Sequence, residues 1–362
     1  MLERVGPLDD ANLKALIEKH SSKPAVSIDE YVRTRKIELG KYVTEHKLIY
    51  LDTRYWIILV EVFLGRLLDP SSMRLLDYFL LQARNHEIIC PISESVFIEM
   101  LKQQDLRTRR KTAELIDELS SGITLASEPT RIGTEIAHFF YSQDKRSSVY
   151  PLKWLIWSKL SHVFGDMYPR NTGLSPDREL IMQKVMFDQI WECSLTEVVN
   201  MIGDKKVPVF DLKDLALEAN EAIAKVSDKF QSYKQVFEQE LAGSLNSYFP
   251  VAQKILEDIF ERGGHIMPVQ TSRKAGIANL SPTLHIHALC NASVRWDKKR
   301  KLKGNDFYDF HHAAAAIPYC DVFLTENPLR ALLEQNHLKI NQDFGCRIIS
   351  SVSEAVNFLE KV

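Results

Sequence analysis

The sequence predicts an α/β fold in which a parallel sheet is flanked by helices and interrupted by a long, mainly helical insertion. Short apolar runs alternate with helical patterns in residues 47–105 and again in 281–362, as in strand–helix–strand units. Between them, residues 107–263 have an almost entirely helical pattern. Hydrophobic residues make up 45% and charged residues 26% of the chain, the balance of an ordinary globular protein.

The first part of the chain alternates between helices and short buried strands. Residues 9–47 are predicted to be helical, with Ser27 as an N-cap. The runs KLIYLD and EIICPIS are predicted strands, and helical sequence follows each of them. In the helical middle, GITLAS is a candidate short strand, and helical character persists from residue 211 almost without breakers until Pro250.

The α/β pattern returns towards the end of the chain. Ser281 and Pro282 form a good helix start, because serine caps a helix and proline suits its first turn. DVFLT and CRIIS are the last predicted strands, each with a helix behind it. Four regions follow from this pattern: an N-terminal helical segment (1–46), the first part of the α/β domain (47–105), a mainly helical insertion (106–280) and the second part of the α/β domain (281–362).

Composition limits the classes of function. With a net charge of -2 the chain is not an overall polycation, so any nucleic-acid contact must come from a local basic patch. The five cysteines form no Cys-x-x-Cys pair, which favours reduced thiols over a disulfide framework or a zinc ribbon. The charged N-terminus lacks the apolar segment of a secretory signal, and no apolar run approaches the roughly 20 residues of a membrane helix. We therefore expect a cytoplasmic protein without a membrane partner.

Two acids follow the first two predicted strands. Asp52 stands at the carboxyl end of KLIYLD, the end of a parallel strand that faces the ligand crevice in α/β sheets. Its alternative role is to cap the next helix. Glu99 lies on the helix behind the second strand, with Glu94 as an alternative on another face. A single helical glutamate is most often a solvated surface residue.

Two more acids open a late helix. Asp306 and Asp309 are three residues apart, which places both carboxylates on one face near the positive end of the helix dipole. Helix capping is the alternative role, with Asn305 or Asp306 at the N-cap and Asp309 in the first turn. The strand after this helix ends in polar residues, and strand alternation predicts that Thr325 and Asn327 share one side with Glu326 between them.

In order and spacing these residues resemble the PIN-domain nucleases, over about residues 47–105 and 300–362. The matching positions are Asp52-Thr53 at the end of the first strand, Glu99-Met100 on the second helix, Asp309 before an Ala-rich helix and Thr325 sixteen residues later. The last acid of the family's pattern falls on Asn327, which is a departure, and Glu326 is a substitute for it. The helical insertion is not explained by the resemblance.

The resemblance implies a metal-dependent endonuclease that acts on RNA, with single-stranded DNA as an alternative. Asp52, Glu99 and Asp309 would be the metal ligands, joined by Glu326 and Asn327. A cluster of carboxylates without cysteine or paired histidines suits hard cations, so Mg²⁺ or Mn²⁺ is the expected cofactor. Asp306 would be an additional catalytic acid. Thr53 and Thr325 would contact the substrate.

A basic run stands directly before these late acids. Basic charge beside aromatic residues suits a single strand, whose phosphates meet the cations and whose bases stack on the rings. A solvated loop is the alternative. The cations assigned to the substrate are Lys298, Lys299, Arg300 and Lys301, and Arg295 and Lys303 flank them. A weaker basic patch occupies residues 107–111.

Other functions compete with the nuclease. A phosphatase of the haloacid-dehalogenase type also uses an Asp after its first strand, but it needs Asp-x-Asp and the second position here is Arg54. The rival outside the enzymes is a degenerate PIN-like module that binds RNA or protein, and Asn327 supports it. A homo-oligomer or a regulatory protein partner is also left open. The pairs His285/His287 and His311/His312 are each expected to diverge on their helices and not to form metal pairs.

Overall fold

The computed structural model describes residues 10–22, 25–143, 149–203, 212–226, 230–255, 277–297, 300–338 and 340–361. The helices are α1 (Asp10–Ser21), α2 (Ile28–Val43), α3 (Thr53–Phe63), α4 (Pro70–Arg84), α5 (Glu94–Leu101), α6 (Leu106–Ser120), α7 (Glu128–Gln143), α8 (Pro176–Trp191), α9 (Leu195–Ile202), α10 (Lys213–Val226), α11 (Tyr233–Ile255), α12 (Ile277–Leu280), α13 (Pro282–Trp296), α14 (Gly304–Ala316), α15 (Asn327–Leu333), α16 (Ile340–Asp343) and α17 (Val352–Leu359). The strands are β1 (Lys47–Leu51), β2 (Ile88–Ile89), β3 (Ile123–Leu125), β4 (Trp157–Lys159), β5 (Val322–Leu324) and β6 (Arg347–Ile349).

A parallel sheet flanked by helices forms the centre of the fold, as the sequence predicts. Its four strands run in the order β2-β1-β5-β6. Leu51 pairs with Leu324, which in turn pairs with Ile349, so β1, β5 and β6 end side by side. Ile49 and Leu51 are fully buried, because helices cover both faces of the sheet. Burial on both faces explains why these strands appear in the sequence as continuous apolar runs.

A second, two-stranded antiparallel sheet joins β3 to β4. The predicted strand GITLAS is confirmed as β3, and Thr124 also forms a parallel bridge with Ile92, just after β2. Strand β4 was not predicted. It has three residues, which is too short for a period-2 pattern to show.

The helical middle packs on the same hydrophobic core as the sheet. Helix α6 contacts α3, α4 and α5. Its residues Leu115 and Ile116 are fully buried in the cluster that also contains Leu51. The residues after 105 are therefore part of one continuous core with residues 47–105. Pro250 does not end the helix in which it lies, because α11 continues to Ile255.

The predicted N-caps of two helices are confirmed. The Ser27 hydroxyl accepts a hydrogen bond from the amide of Glu30 at 3.2 Å, and that of Ser281 accepts one from the amide of Leu284 at 3.3 Å. All five cysteines are free. Within the described ranges, no helix combines the length and the apolar character that crossing a membrane would require.

Candidate functional site

Asp52 and Thr325 lie next to each other at the carboxyl edge of the parallel sheet. The amide of Asp52 donates to the Leu324 carbonyl at 3.0 Å, and the amide of Thr325 donates to the Ile349 carbonyl at 2.9 Å. Asp52 is buried and caps α3, since its carboxylate accepts from the Tyr55 amide at 3.2 Å. The capping role is therefore confirmed for Asp52, whose carboxyl also stands at the edge of the sheet. Burial raises the pKa of Asp52, and nearby His312 and Thr325 oppose that rise.

Glu99 reaches this edge from α5. Its carboxylate accepts a hydrogen bond from the Thr53 hydroxyl, on the first residue of α3. The same oxygen accepts from Nε2 of His312 at 2.8 Å. Burial raises the pKa of Glu99, but the hydrogen bond and charge of His312, followed by the Thr53 bond, outweigh burial and lower it below the usual value. Glu99 is therefore an oriented carboxylate, in contrast to a solvated surface residue.

His312 is the centre of the site, a role that the sequence did not indicate. Its side chain is 2% exposed. Its Nδ1 lies 2.9 Å from the Tyr50 hydroxyl, which lies 2.6 Å from the Ser93 hydroxyl. A neutral ring that donates from Nε2 to Glu99 accepts at Nδ1 from Tyr50, whereas a charged ring donates from both nitrogens, to Glu99 and to Tyr50. This buried chain fixes the imidazole between Glu99 and the sheet.

Asp309 lies one helical turn before His312, on the same face of α14. Burial raises the pKa of Asp309 to about 7; the charge of His312 opposes the rise, and the carboxylates of Asp52, Glu326 and Asp306 add to it. Residues 257 positions apart in the sequence thus lie close enough to affect each other's ionisation. Asp309 is in the second turn of α14, so the suggestion that it caps the helix is wrong.

Asp306 lies in the first turn of α14. The helix begins at Gly304, so Asp306 is its third residue and not its N-cap, which is Lys303. Its carboxylate accepts from the Lys303 amide at 2.8 Å and from the Arg300 guanidinium at 3.2 Å. With one oxygen on each partner, Asp306 is satisfied by the protein itself. These bonds favour a structural role over the predicted catalytic one.

The end of β5 differs from the predicted alternation. The strand stops at Leu324, so Thr325 is fully buried while Asn327 is exposed at the start of α15. The expectation that these two side chains share one side is wrong, because alternation ends where the strand ends. The Asn327 amide oxygen accepts from the Ser350 hydroxyl at 3.3 Å. Glu326 precedes α15 and is one of the neighbours that raise the pKa of Asp309.

The predicted basic run is only partly available to a ligand. Lys298 and Lys299 lie outside the described residues. Arg295 pairs with Glu240, and Arg300 pairs with Asp306. Lys301 is exposed. Lys303 is exposed as well, so Lys301 and Lys303 are the exposed cations among the described residues of the run.

Both histidine pairs diverge as expected, and the two members of each pair contact different acids. His285 lies against Asp343, whereas His287 bonds to Glu128. His311 also bonds to Glu128, whereas His312 bonds to Glu99 in the acidic site. In the described part of the chain, the ligand groups within 4.8 Å of one another are Glu128, His287 and His311, and not the predicted acids. Their convergence depends on helix packing, which no local pattern reveals.

Comparisons of the chain with protein-family models, with curated proteins and with solved structures find no match.

Proposed function

We propose that the chain is a metal-dependent endonuclease with a PIN-like site, acting on RNA or on single-stranded DNA. The observation that supports it best is that His312, at the carboxyl edge of the sheet, bonds to Glu99 and opposes the rise that burial causes in the pKa of both Asp52 and Asp309. The three acids come from the end of β1, from α5 and from α14. In parallel α/β folds this edge is where ligands bind.

The residues present suit a hard divalent cation. The hydroxyl of Thr325 is fully buried and makes no hydrogen bond of ordinary length within the described structure, although it lies beside the Asp52 carboxyl. A buried polar group without a partner is costly, and a bound cation with its water would satisfy it. Asp52, Asp309 and Glu326, with Glu99, would hold the ion. When bound, Mg²⁺ or Mn²⁺ supplies charge stabilisation for a phosphodiester and an activated water.

The chain's own residues orient this carboxylate set. His312 and Thr53 hold Glu99 in place, since both bond to the same oxygen and leave the other one available. Asp309 makes no side-chain hydrogen bond to another described residue, so its oxygens are open to a ligand. Lys301 lies exposed just before α14 and would contact a phosphate of the strand.

Cleavage of labelled RNA and single-stranded DNA oligonucleotides with Mg²⁺ or Mn²⁺ tests this proposal. The parent should cut, and Asp309→Asn should lose activity by about a hundredfold, equivalent to about 2.7 kcal/mol of transition-state stabilisation. Asp77→Asn changes an exposed aspartate on α4 and should cut at the parent rate. Equal rates for the parent and Asp309→Asn would refute the site.

A degenerate PIN-like module that binds RNA or protein is the second candidate. Asn327 favours it, because this residue stands where the resemblance expects an acid and its side chain is bonded to Ser350. Salt-dependent binding of RNA by the parent, without cleavage in either metal, would support the module and reject the nuclease.

A reducing compartment such as the cytoplasm remains part of the proposal. Cys90, Cys290, Cys320 and Cys346 are buried and Cys193 is partly buried, and each is free. Burial raises the pKa of Cys290 to about 12, so this thiol is unreactive. Free, protonated thiols are the usual state of cysteines in a reducing compartment.

A further inference from the structure

A second group of ligand-type side chains lies outside the acidic site. It consists of Glu128 on α7, His287 on α13 and His311 on α14. One oxygen of Glu128 lies 2.8 Å from Nε2 of His287 and 2.6 Å from Nδ1 of His311. The two rings are edge to face with their centroids 4.8 Å apart. Three helices therefore direct two imidazole nitrogens and one carboxylate oxygen at a single point.

The surroundings hold the carboxylate of this group in one orientation. Tyr248 on α11 donates from its hydroxyl to the other oxygen of Glu128 at 2.9 Å. Glu94 accepts from the Glu128 amide at 3.2 Å, which brings a second carboxylate to the group. Arg131 is the nearby cation, with its guanidinium 3.8 Å from Glu128, and it also donates to Thr283. The two carboxylates and the single guanidinium sum to a net negative charge, which favours binding of a cation.

The group is closed on one side and open on the other. The side chains of Glu128 and His287 are 5% and 11% exposed, whereas that of His311 is 38% exposed. Solvent therefore reaches the group past His311. Two histidines and one glutamate are three protein ligands, the number with which a zinc ion keeps a fourth position for water or another small ligand.

We propose that Glu128, His287 and His311 form a binding site for one divalent transition-metal ion of the Zn²⁺ class. Imidazole nitrogens with a single carboxylate suit such ions, whereas the carboxylates around Asp309 suit Mg²⁺ or Mn²⁺. The ion would replace the protons that Nε2 of His287 and Nδ1 of His311 now direct at Glu128. The proposal is independent of the proposed nuclease activity, since it uses none of the acids assigned to that site.

The ion would also stabilise the fold. It would connect α7, in the helical middle, to α13 and α14, near the end of the chain. Helix α14 carries Asp309 and His312 as well, so an ion at His311 would fix the helix that supplies the acidic site. A ligand that binds only the folded chain raises its melting temperature.

The test is a titration of the chelator-treated full chain with Zn²⁺, followed by calorimetry and by thermal unfolding. One equivalent should bind and raise the melting temperature. Removing a residue that only bonds to a metal ligand typically lowers metal affinity roughly 10- to 100-fold, and Tyr248→Phe should lower Zn²⁺ affinity by that much. His311→Ala removes a ligand itself and should lower Zn²⁺ affinity by more than that. His337→Ala removes an exposed histidine and should bind like the parent.

Asp309→Asn separates the two sites, because it alters the acidic cluster and should leave Zn²⁺ affinity unchanged. Co²⁺ provides a second measurement on the parent, since the intensity of its visible absorption distinguishes a four-coordinate protein site from the hydrated ion. The absence of a Zn²⁺ equivalent in the parent would overturn the proposal. Undiminished binding by His311→Ala, or a loss in Asp309→Asn as large as in His311→Ala, would overturn it as well.

Discussion

Replacing Asp309 with Asn should stabilise the metal-free protein at alkaline pH. The pKa of Asp309 is raised from 3.8 to about 7, first by burial and then by the neighbouring acids, with His312 opposing them. A shift of about three units, at roughly 1.36 kcal/mol each, sets a ceiling of about 4 kcal/mol on the cost of ionising this group in the fold. Because the side chain is partly exposed and solvent screens it, we expect a gain of about 1–3 kcal/mol.

The sign of the pH dependence follows from the direction of the shift. The folded chain keeps a proton on Asp309 that the unfolded chain loses near 3.8, so the free energy of unfolding decreases as pH rises from 3.8 to about 7. Asn has no proton to lose. The difference between variant and parent should therefore be small in acid, increase through this window and remain constant above it.

Urea unfolding in the presence of a chelator, at about pH 5 and about pH 8, measures this difference, most of which should develop between the two pH values. Asp77→Asn removes an exposed aspartate and is the control, with no pH-dependent difference expected. A variant that tracks the parent at both pH values would show that Asp309 is not in a crowded acidic environment. Added Mn²⁺ should reverse the order, because the ion stabilises the parent and has a weaker site in the variant.

Further changes test other parts of the structure. Gly40→Ala would place a Cβ 2.1 Å from the Trp154 carbonyl oxygen and should lower the free energy of unfolding by about 1–3 kcal/mol. At Gly243 an added Cβ has open space, so Gly243→Ala should raise the free energy of unfolding by up to about 1 kcal/mol. If both variants changed stability equally in urea titrations, the close packing of α2 against Trp154 would be contradicted. Glu99→Gln should lower the free energy of unfolding by about 1.5–3 kcal/mol at neutral pH. Because the carboxylate is the stabilising form, the difference between variant and parent should disappear as pH falls below the usual pKa of 4.5. A difference that persists in unfolding curves measured in acid would contradict this role of Glu99. Lys301→Ala should weaken RNA binding for all sequences alike and reduce the log–log salt slope by about 0.7, and an unchanged slope would make this residue part of a solvated loop.

The sheet and several helix starts were predictable from the sequence because local rules decide them. Strands buried on both faces must be apolar throughout, which is what the runs containing Ile49 and Phe323 show. Ser27 and Ser281 cap their helices through hydrogen bonds to amides three residues ahead, so their signal is also local. These features need no knowledge of which helix packs on which.

The arrangement of the site was predictable only in part. The positions of Asp52 and Asp309 relative to strand and helix ends indicated a shared edge, and there the charge of Asp52 raises the pKa of Asp309. The role of His312 depends on the packing of α5 against α14, which brings Glu99 to its Nε2. A pair of adjacent histidines indicates only that the two side chains diverge. Asn327 was misplaced because strand alternation was carried past the last residue of β5.

Locating Mn²⁺ by its anomalous scattering in crystals of the full chain tests the central claim most directly. A Mn²⁺ peak is expected among the carboxylates of Asp52, Asp309 and Glu326, on the side of Glu99 that His312 leaves free. The peak should disappear in Asp309→Asn crystals treated in the same way. A map without a peak at this edge of the sheet, in crystals whose protein cleaves RNA in solution, would contradict the account.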